Sequence, residues 1–308
     1  MKNILVIGSI NVDLVIHTPR LPQIGETIRG GEFQTVPGGK GANQATACGL
    51  LGGSVRMLGC VGRDLYGQMS RQALERSGVD VSLLTEQDGP TGVAVITVCQ
   101  GDNCIVLDAG ANGALTPTLL EETAARQEIF SWADLVLLQL EIPMETVVLA
   151  ARLAKRAGAT VLLNPAPMQP LPDELWGLVD ILSPNQVEAA QLLGRPGEIG
   201  PEEAPEALAQ LRGRGIPYPL ITLGGEGCAY FDGEQYRRRE AYPVTPVDTT
   251  AAGDSFMGGL AAALCRGETL SQAVDYATAV SAISVTRPGA TASIPTAREV
   301  EEFLAAQK

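Results

Sequence analysis

A chain of 308 residues with 45% hydrophobic and 19% charged side chains has a globular composition, and its 22 Lys+Arg against 35 Asp+Glu give a net charge of −13. Surface scaling gives ~12,000 Å² for the folded chain against ~47,000 Å² extended, enough for one large α/β domain or two smaller ones with a sizeable core. The charge argues against a nucleic-acid-binding surface, which needs clustered Lys and Arg; the one basic run, Arg237-Arg238-Arg239, reads as a solvated strand end.

The first predicted strand, residues 4–7, runs into Ser9-Ile10-Asn11-Val12-Asp13. Asn11 and Asp13 are two apart and so share a face, at the carboxyl end where open α/β sheets bind ligands; they also suit a plain turn. Residues 13–36 alternate polar and apolar, as do 91–108, and together they predict a small antiparallel sheet lying as a lid over the strand ends. Next, Pro37-Gly38-Gly39-Lys40-Gly41-Ala42-Asn43-Gln44-Ala45 leads into a helix of small residues over 42–51. Its glycines allow a backbone to approach a ligand closely. Lys40 and Asn43, three apart, share a face in the first turn and can present a cation and an amide to hydroxyl groups. The lysine spacing is not that of a Walker A loop, and no Ser or Thr follows it.

Short Val/Ile/Leu runs at 55–61, 135–138, 160–163, 181–182 and 220–223 alternate with helical periods at 67–77, 119–132, 144–157, 186–193, 202–214, 254–266, 270–285 and 297–306. This is the rhythm of a parallel sheet covered on both faces. Glu141 follows one such run. Asn185 and Glu188 share a face at a helix start, either toward a solvated metal ion or as caps. Thr222-Leu223-Gly224-Gly225-Glu226-Gly227 is a strand and tight turn suited to a phosphate. In Asp248-Thr249-Thr250-Ala251-Ala252-Gly253-Asp254 two aspartates precede a helix apolar almost all round. A carboxylate in the first turn of a buried helix is favoured by the macrodipole, and the free N–H groups there favour an anion; a plain N-cap is the alternative.

Six cysteines and one histidine, His17, show no zinc-like spacing, and the cysteines read as buried free thiols. Cys99 and Cys104 flank a predicted turn at 100–103 and are placed to face each other across it. The start, 1–8, has no signal-peptide pattern, and no apolar run approaches the ~18 residues of a membrane span, so the expectation is a cytoplasmic chain with no membrane partner.

Taken together, Ser9-Ile10-Asn11-Val12-Asp13, Gly38-Gly39-Lys40-Gly41-Ala42-Asn43, Asp108-Ala109-Gly110-Ala111-Asn112, Asn164-Pro165-Ala166-Pro167 and Asp248 to Asp254 resemble the ribokinase family of carbohydrate kinases, nearly end to end. The resemblance implies a three-layer αβα sandwich with a mainly parallel sheet and a β lid, as a single domain over 1–308. It implies ATP-dependent phosphorylation of a furanose primary hydroxyl, O5 of D-ribose, with a related kinase for deoxyribose, a nucleoside or a ketohexose phosphate, or a silent sugar-binding regulator, as alternatives. It places the sugar against Asn11, Asp13, Gly39, Lys40, Gly41, Asn43 and Glu141, makes Asp254 the general base, and forms an anion hole from the N–H groups of Ala251, Ala252, Gly253 and Asp254.

By the same resemblance ATP lies along Thr222, Leu223, Gly224, Gly225, Glu226 and Gly227, with Asn185 and Glu188 near the phosphates and Mg2+, and Thr278 near the adenine. A K+ site falls on Asp248, Thr250, Ser284, Arg287, Gly289 and Ser293; many neutral oxygens suit a large monovalent ion better than magnesium. A homodimer through the lid is the expected assembly. Much of the wider superfamily has glycine where Ala251 stands. Alanine disfavours positive φ, so this loop is expected to keep Ala251 in a conformation open to L-residues.

Overall fold

In the computed structural model, which describes residues 2–100 and 102–307, the predicted strands lie side by side in a nine-stranded sheet. Its members are β1 (Asn3–Ile7), β4 (Ser54–Gly62), β5 (Leu84–Gln87), β8 (Leu135–Leu138), β9 (Thr160–Leu163), β10 (Ile181–Leu182), β11 (Tyr218–Thr222), β12 (Cys228–Asp232) and β13 (Gln235–Arg239). Their order is β13-β12-β11-β10-β9-β8-β1-β4-β5. From β5 to β11 every pairing is parallel, and the two at the β13 edge are antiparallel.

Helices cover both faces because the central strands are apolar on both. In β1, Leu5 and Ile7 enter one core and Ile4 and Val6 the other. The first core is closed by α3 (Pro117–Gln127), α4 (Ile129–Trp132), α5 (Met144–Ala157), α6 (Asp173–Trp176), α7 (Gln186–Leu192) and α8 (Ala204–Gly213). The second takes α1 (Lys40–Leu50), α2 (Leu65–Arg76), α9 (Ala252–Cys265), α10 (Leu270–Ser284) and α11 (Ala297–Ala306). The helix predicted over 119–132 is two helices: Glu128 takes a left-handed conformation (φ 48°) and ends α3 before α4 begins.

The second sheet has the order β3-β2-β6-β7, from β2 (Asn11–Thr18), β3 (Gly31–Gly38), β6 (Gly92–Cys99) and β7 (Asp102–Asp108). Its outer pairs are antiparallel and its central β2·β6 pair is parallel. Parallel pairing follows from the connection, since the chain returns to the main sheet between the two strands. Gly101, in the predicted 100–103 turn, lies outside the described residues. Beyond it Cys104 stands opposite Thr97, and Cys99 opposite Asp102, so the two thiols do not face each other; all six cysteines are free, but only the other four are buried as expected, Cys99 being half-buried and Cys104 exposed on the second sheet. The Arg237-Arg238-Arg239 run occupies the edge strand, each guanidinium meeting a carboxylate, of Asp232, Glu226 and Asp275 respectively. Among the described residues no helix is long and apolar enough to cross a membrane.

Candidate active site

Every parallel strand from β8 to β11 delivers a polar residue just past its carboxyl end: Gln139 and Glu141, Asn164, Ser183 and Asn185, then Thr222 at the end of β11 itself. After β1 the chain bends through Gly8–Ile10, so Asn11 and Asp13 do not end the first strand as predicted but open β2. They still share a face. Asn112 holds this bend: its side chain accepts from Ile10 N–H at 2.8 Å and donates to the Ile10 carbonyl at 3.0 Å and to Asn11 Oδ1 at 2.7 Å. The Asn11 oxygen is thereby used internally, and its NH2 is left as a donor.

The glycine cluster brings α1 against this bend. A Cβ on Gly41 would lie 2.6 Å from Ser9 N, and one on Gly39, whose φ is 90°, 2.6 Å from Asn11 N. Glu141 ties the parts together, accepting from Ser9 Oγ at 2.5 Å and from Lys40 N–H at 3.0 Å. On one side of that junction Asn11, Ala109, Asn112, Leu107, Glu141 and Ile142 line a 360 Å³ cavity. On the other, Lys40, Asn164, Ser183, Asn185, Glu188, Thr222, Ala251 to Asp254 and Met257 line one of 200 Å³. A 410 Å³ cavity at the amino ends of the strands is larger, but its Asp134 and Asp180 are engaged by Asn3 N–H and by Lys155. Ligands of open α/β sheets bind at the other end.

Asp254, 6% exposed, stands in the first turn of α9 and is not its N-cap, a position held by Ala251. Its carboxylate is turned toward α1, accepting from Asn43 Nδ2 at 3.0 Å and from Gln44 Nε2 at 2.9 Å. Ala251 departs from expectation: φ is 58° and ψ 13°, the left-handed region. Helix packing overrides the local preference, at a cost of about 1–2 kcal/mol for an L-residue. Ala252 N–H donates to the Thr249 carbonyl at 3.2 Å, which leaves the first-turn N–H groups of Gly253 and Asp254 without an intrahelical acceptor.

The electrostatics follow from burial among like charges. Burial, with Glu141 and Asp254 nearby, raises the Asp13 carboxyl to about 6 against the opposing pull of Lys40. Burial also raises Glu188, an effect its hydrogen bond from Asn185 N–H and Lys40 oppose. Lys40 behaves in the reverse sense: desolvation disfavours its charge, but Asp254, Glu141, Glu188 and Asp13 outweigh it and the ammonium is held. Four carboxylates around one ammonium are good acceptors for hydroxyl groups and poor hosts for a naked polyphosphate.

Asn185 and Glu188 do cap α7, each accepting from the other's backbone N–H at 2.8 Å, while both still line the smaller cavity. Of the predicted nucleotide segment, Thr222 lines that cavity; Leu223 is buried, Glu226 is paired with Arg238, and Gly224 and Gly227 shape the turn into β12 with φ of 56° and 88°. Thr278 is not brought to either cavity: it is buried on α10, its hydroxyl donating to the Val274 carbonyl at 2.8 Å.

The residues predicted as cation ligands fall into two hydrogen-bonded groups, Asp248 with Thr250 and Gly289, and Ser284 with Ser293 and Arg287. Asp248 accepts from Thr250 N–H at 2.8 Å and its hydroxyl at 2.6 Å, and from Gly289 N–H at 2.8 Å. Burial works against its charge, and these donors hold the carboxyl below its usual range. Ser284 and Ser293 hydroxyls lie 2.8 Å apart, and Arg287 N–H donates to the Ser284 carbonyl at 3.0 Å.

Residues 1–297 match the pfkB family carbohydrate kinase pattern. The chain belongs to that family. This kinase is 40% identical over 306 residues to a ribokinase of Haemophilus influenzae, covering 98% of each chain. It is 40% identical over 309 residues to one of Bacillus subtilis, covering 99% of this chain and 100% of that one. Its fold superposes with a TM-score of 0.91 and 34% identity on Arabidopsis thaliana ribokinase complexed with ribose and ATP, over 98% of both chains. Sequence reasoning about this kinase did not assign Asn112, Gln44, Gln139 or Ser183. A polar residue inside an otherwise apolar run, as at Gln139, was the signal available.

Proposed function

We propose that the chain transfers the γ-phosphoryl group of ATP to O5 of D-ribose, giving D-ribose 5-phosphate and ADP. The supporting observation is the position of Asp254: one carboxylate at a helix amino end, held by Asn43 and lining one cavity with Lys40, Asn185, Glu188 and Thr222. The sugar hydroxyls meet Asn11 and Glu141, which line the 360 Å³ cavity, together with Asp13 on β2 and Gly39, Lys40, Gly41 and Asn43 at the start of α1. As O5 attacks phosphorus in line, its proton passes to Asp254, the bond to ADP breaks, and the N–H groups of Gly253 and Asp254 meet the charge of the transferring group. Asp254 then releases its proton to solvent.

Mg2+ fits this site as a companion of ATP. No group of three or more His, Cys, Asp or Glu among the described residues makes a protein-only cage, and the buried Ser183 Oγ has no partner in the chain. With ATP bound, Mg2+ would neutralise the phosphates, and Glu188 and Asn185 are the residues that would hold it. K+ fits the Asp248, Thr250, Ser284, Arg287, Gly289 and Ser293 oxygens, one carboxylate among neutral donors. In this reading the second sheet is a lid on a single 1–308 domain, two lids pair in a homodimer, and the free thiols accord with the cytoplasm.

The test is an ATP-coupled assay over ribose, deoxyribose, nucleosides and ketohexose phosphates, with and without K+. Ribose is the expected best substrate. Asp254→Asn lowers kcat at least ~100-fold with ribose binding retained; wild-type turnover in that variant removes Asp254 from the mechanism, and no turnover of any substrate by the native chain favours a sugar-binding regulator.

A further inference from the structure

Behind Asp254, three buried amides from three parts of the fold form one hydrogen-bonded chain. Gln44 of α1, completely buried, donates through Nε2 to Asp254 Oδ1 at 2.9 Å and to Asn164 Oδ1 at 3.2 Å. Its Oε1 accepts from Gln139 Nε2 at 2.6 Å, just past β8, and Asn164 Nδ2, just past β9, donates to the Ser183 carbonyl at 3.0 Å. Only one set of amide orientations satisfies this chain. A carboxylate can only accept, so the Gln44 NH2 faces Asp254, its oxygen faces Gln139, and the Gln139 NH2 must face Gln44.

The arrangement is expensive for a core. Gln139 Oε1 is buried with no partner, and it excludes a side chain at Gly8, where a Cβ would lie 1.9 Å away. An apolar trio of similar volume would satisfy packing without an unpaired acceptor. The neighbouring Asn43 adds a donor to the other Asp254 oxygen. Adjacent helical residues point about 100° apart, so two of them reaching one carboxylate clamp it between them against α1. Close approach of α1 and α9 sets the distance: a Cβ on Gly258 would meet Ala47 Cβ at 2.3 Å.

We propose that Gln44 is a positioning residue for the phosphoryl transfer. Held by Gln139 and Asn164, it fixes the plane of the Asp254 carboxylate so that the oxygen facing the sugar hydroxyl keeps its alignment. The inference rests on the reading of Asp254 as the base. Loss of alignment at a reacting centre is a kcat effect, because the sugar's own contacts are elsewhere.

The test compares Gln44→Met, Gln139→Met, Asp254→Asn and the double variant Gln44→Met/Asp254→Asn, each by steady-state kinetics with ribose and ATP and by thermal melting. Gln44→Met is expected to lower kcat by about 10- to 100-fold with the ribose KM within about threefold. Gln139→Met, two bonds removed from Asp254, is expected to lower kcat less, in the same direction. In the Asp254→Asn background Gln44→Met is expected to change kcat less than twofold, since there is no longer a base to align. Native kcat in a folded Gln44→Met, a full additional loss in the double variant, or kcat and KM moving together overturns the proposal. If Gln44→Met does not fold, Gln139→Met decides: native kcat there overturns it. Native turnover in Asp254→Asn refutes the reading of the base; collapse of Asp254→Asn beside native Gln44→Met and Gln139→Met refutes the positioning role alone.

Discussion

Asp13 is a carboxylate whose charge changes within the range of an ordinary assay. Burial and the nearby Glu141 and Asp254 bring it to about 6, and its ionised form is the better acceptor for sugar hydroxyls. Protonation therefore weakens binding as pH falls through that value. Between pH 7 and pH 5 the ribose KM should rise about tenfold at saturating ATP, as the ionised fraction falls tenfold per unit below the midpoint. Asp13→Asn should bind ribose poorly at both values and flatten the profile; a steep profile in that variant would assign the titration to another group. At this scale the sequence was informative wherever a charged or amide side chain stood in a recognisable pattern, as at Asn43, Lys40 and Asp254. It misled where backbone context overrode residue preference: Ala251 is left-handed although alanine resists it. Gln44 passed unnoticed because, in a run of Ala and Gly, nothing in its spacing tells a buried amide from a solvated one.

The element on which the geometry turns is the amino end of α1. It meets the 8–11 bend with no room for a side chain, and this contact sets where Lys40 and Asn43 stand. Gly41→Ala should cost about 2–3 kcal/mol of stability, because its Cβ would press on the Ser9 and Gly8 backbone, which cannot yield as a flexible side chain can. Chemical denaturation reads this directly, and an unchanged midpoint would show that the bend moves freely. Strands and most helices were legible because Val/Ile/Leu runs and helical periods are local signals. The α3/α4 break at Glu128 was not, since apolar periodicity continues across it. Nor was the parallel β2·β6 pairing, which depends on a connection through the main sheet.

Across the whole molecule, the second sheet is the part whose surface is unusual. Ile105, Val106 and Leu107 are exposed in succession on its edge strand β7, at 51%, 70% and 48%. An open edge with consecutive apolar side chains invites a second copy. The native protein is expected to sediment near twice the 32.2 kDa of one chain, and the double variant Ile105→Lys/Val106→Lys near 32.2 kDa, with its fold intact because both side chains are exposed. A variant that stays paired would move the contact to another surface.

Helix α9 joins these scales. Its middle is buried among α1 and α10, with Leu260, Ala261 and Ala263 sealed from solvent, and its first turn carries Asp254. One rigid rod therefore serves as both keel and tool. Efforts to toughen this enzyme against heat by refilling that rod would displace Asp254, the carboxylate proposed to act on the sugar, so tolerant positions belong to distant surfaces such as the outward sides of α3 and α8.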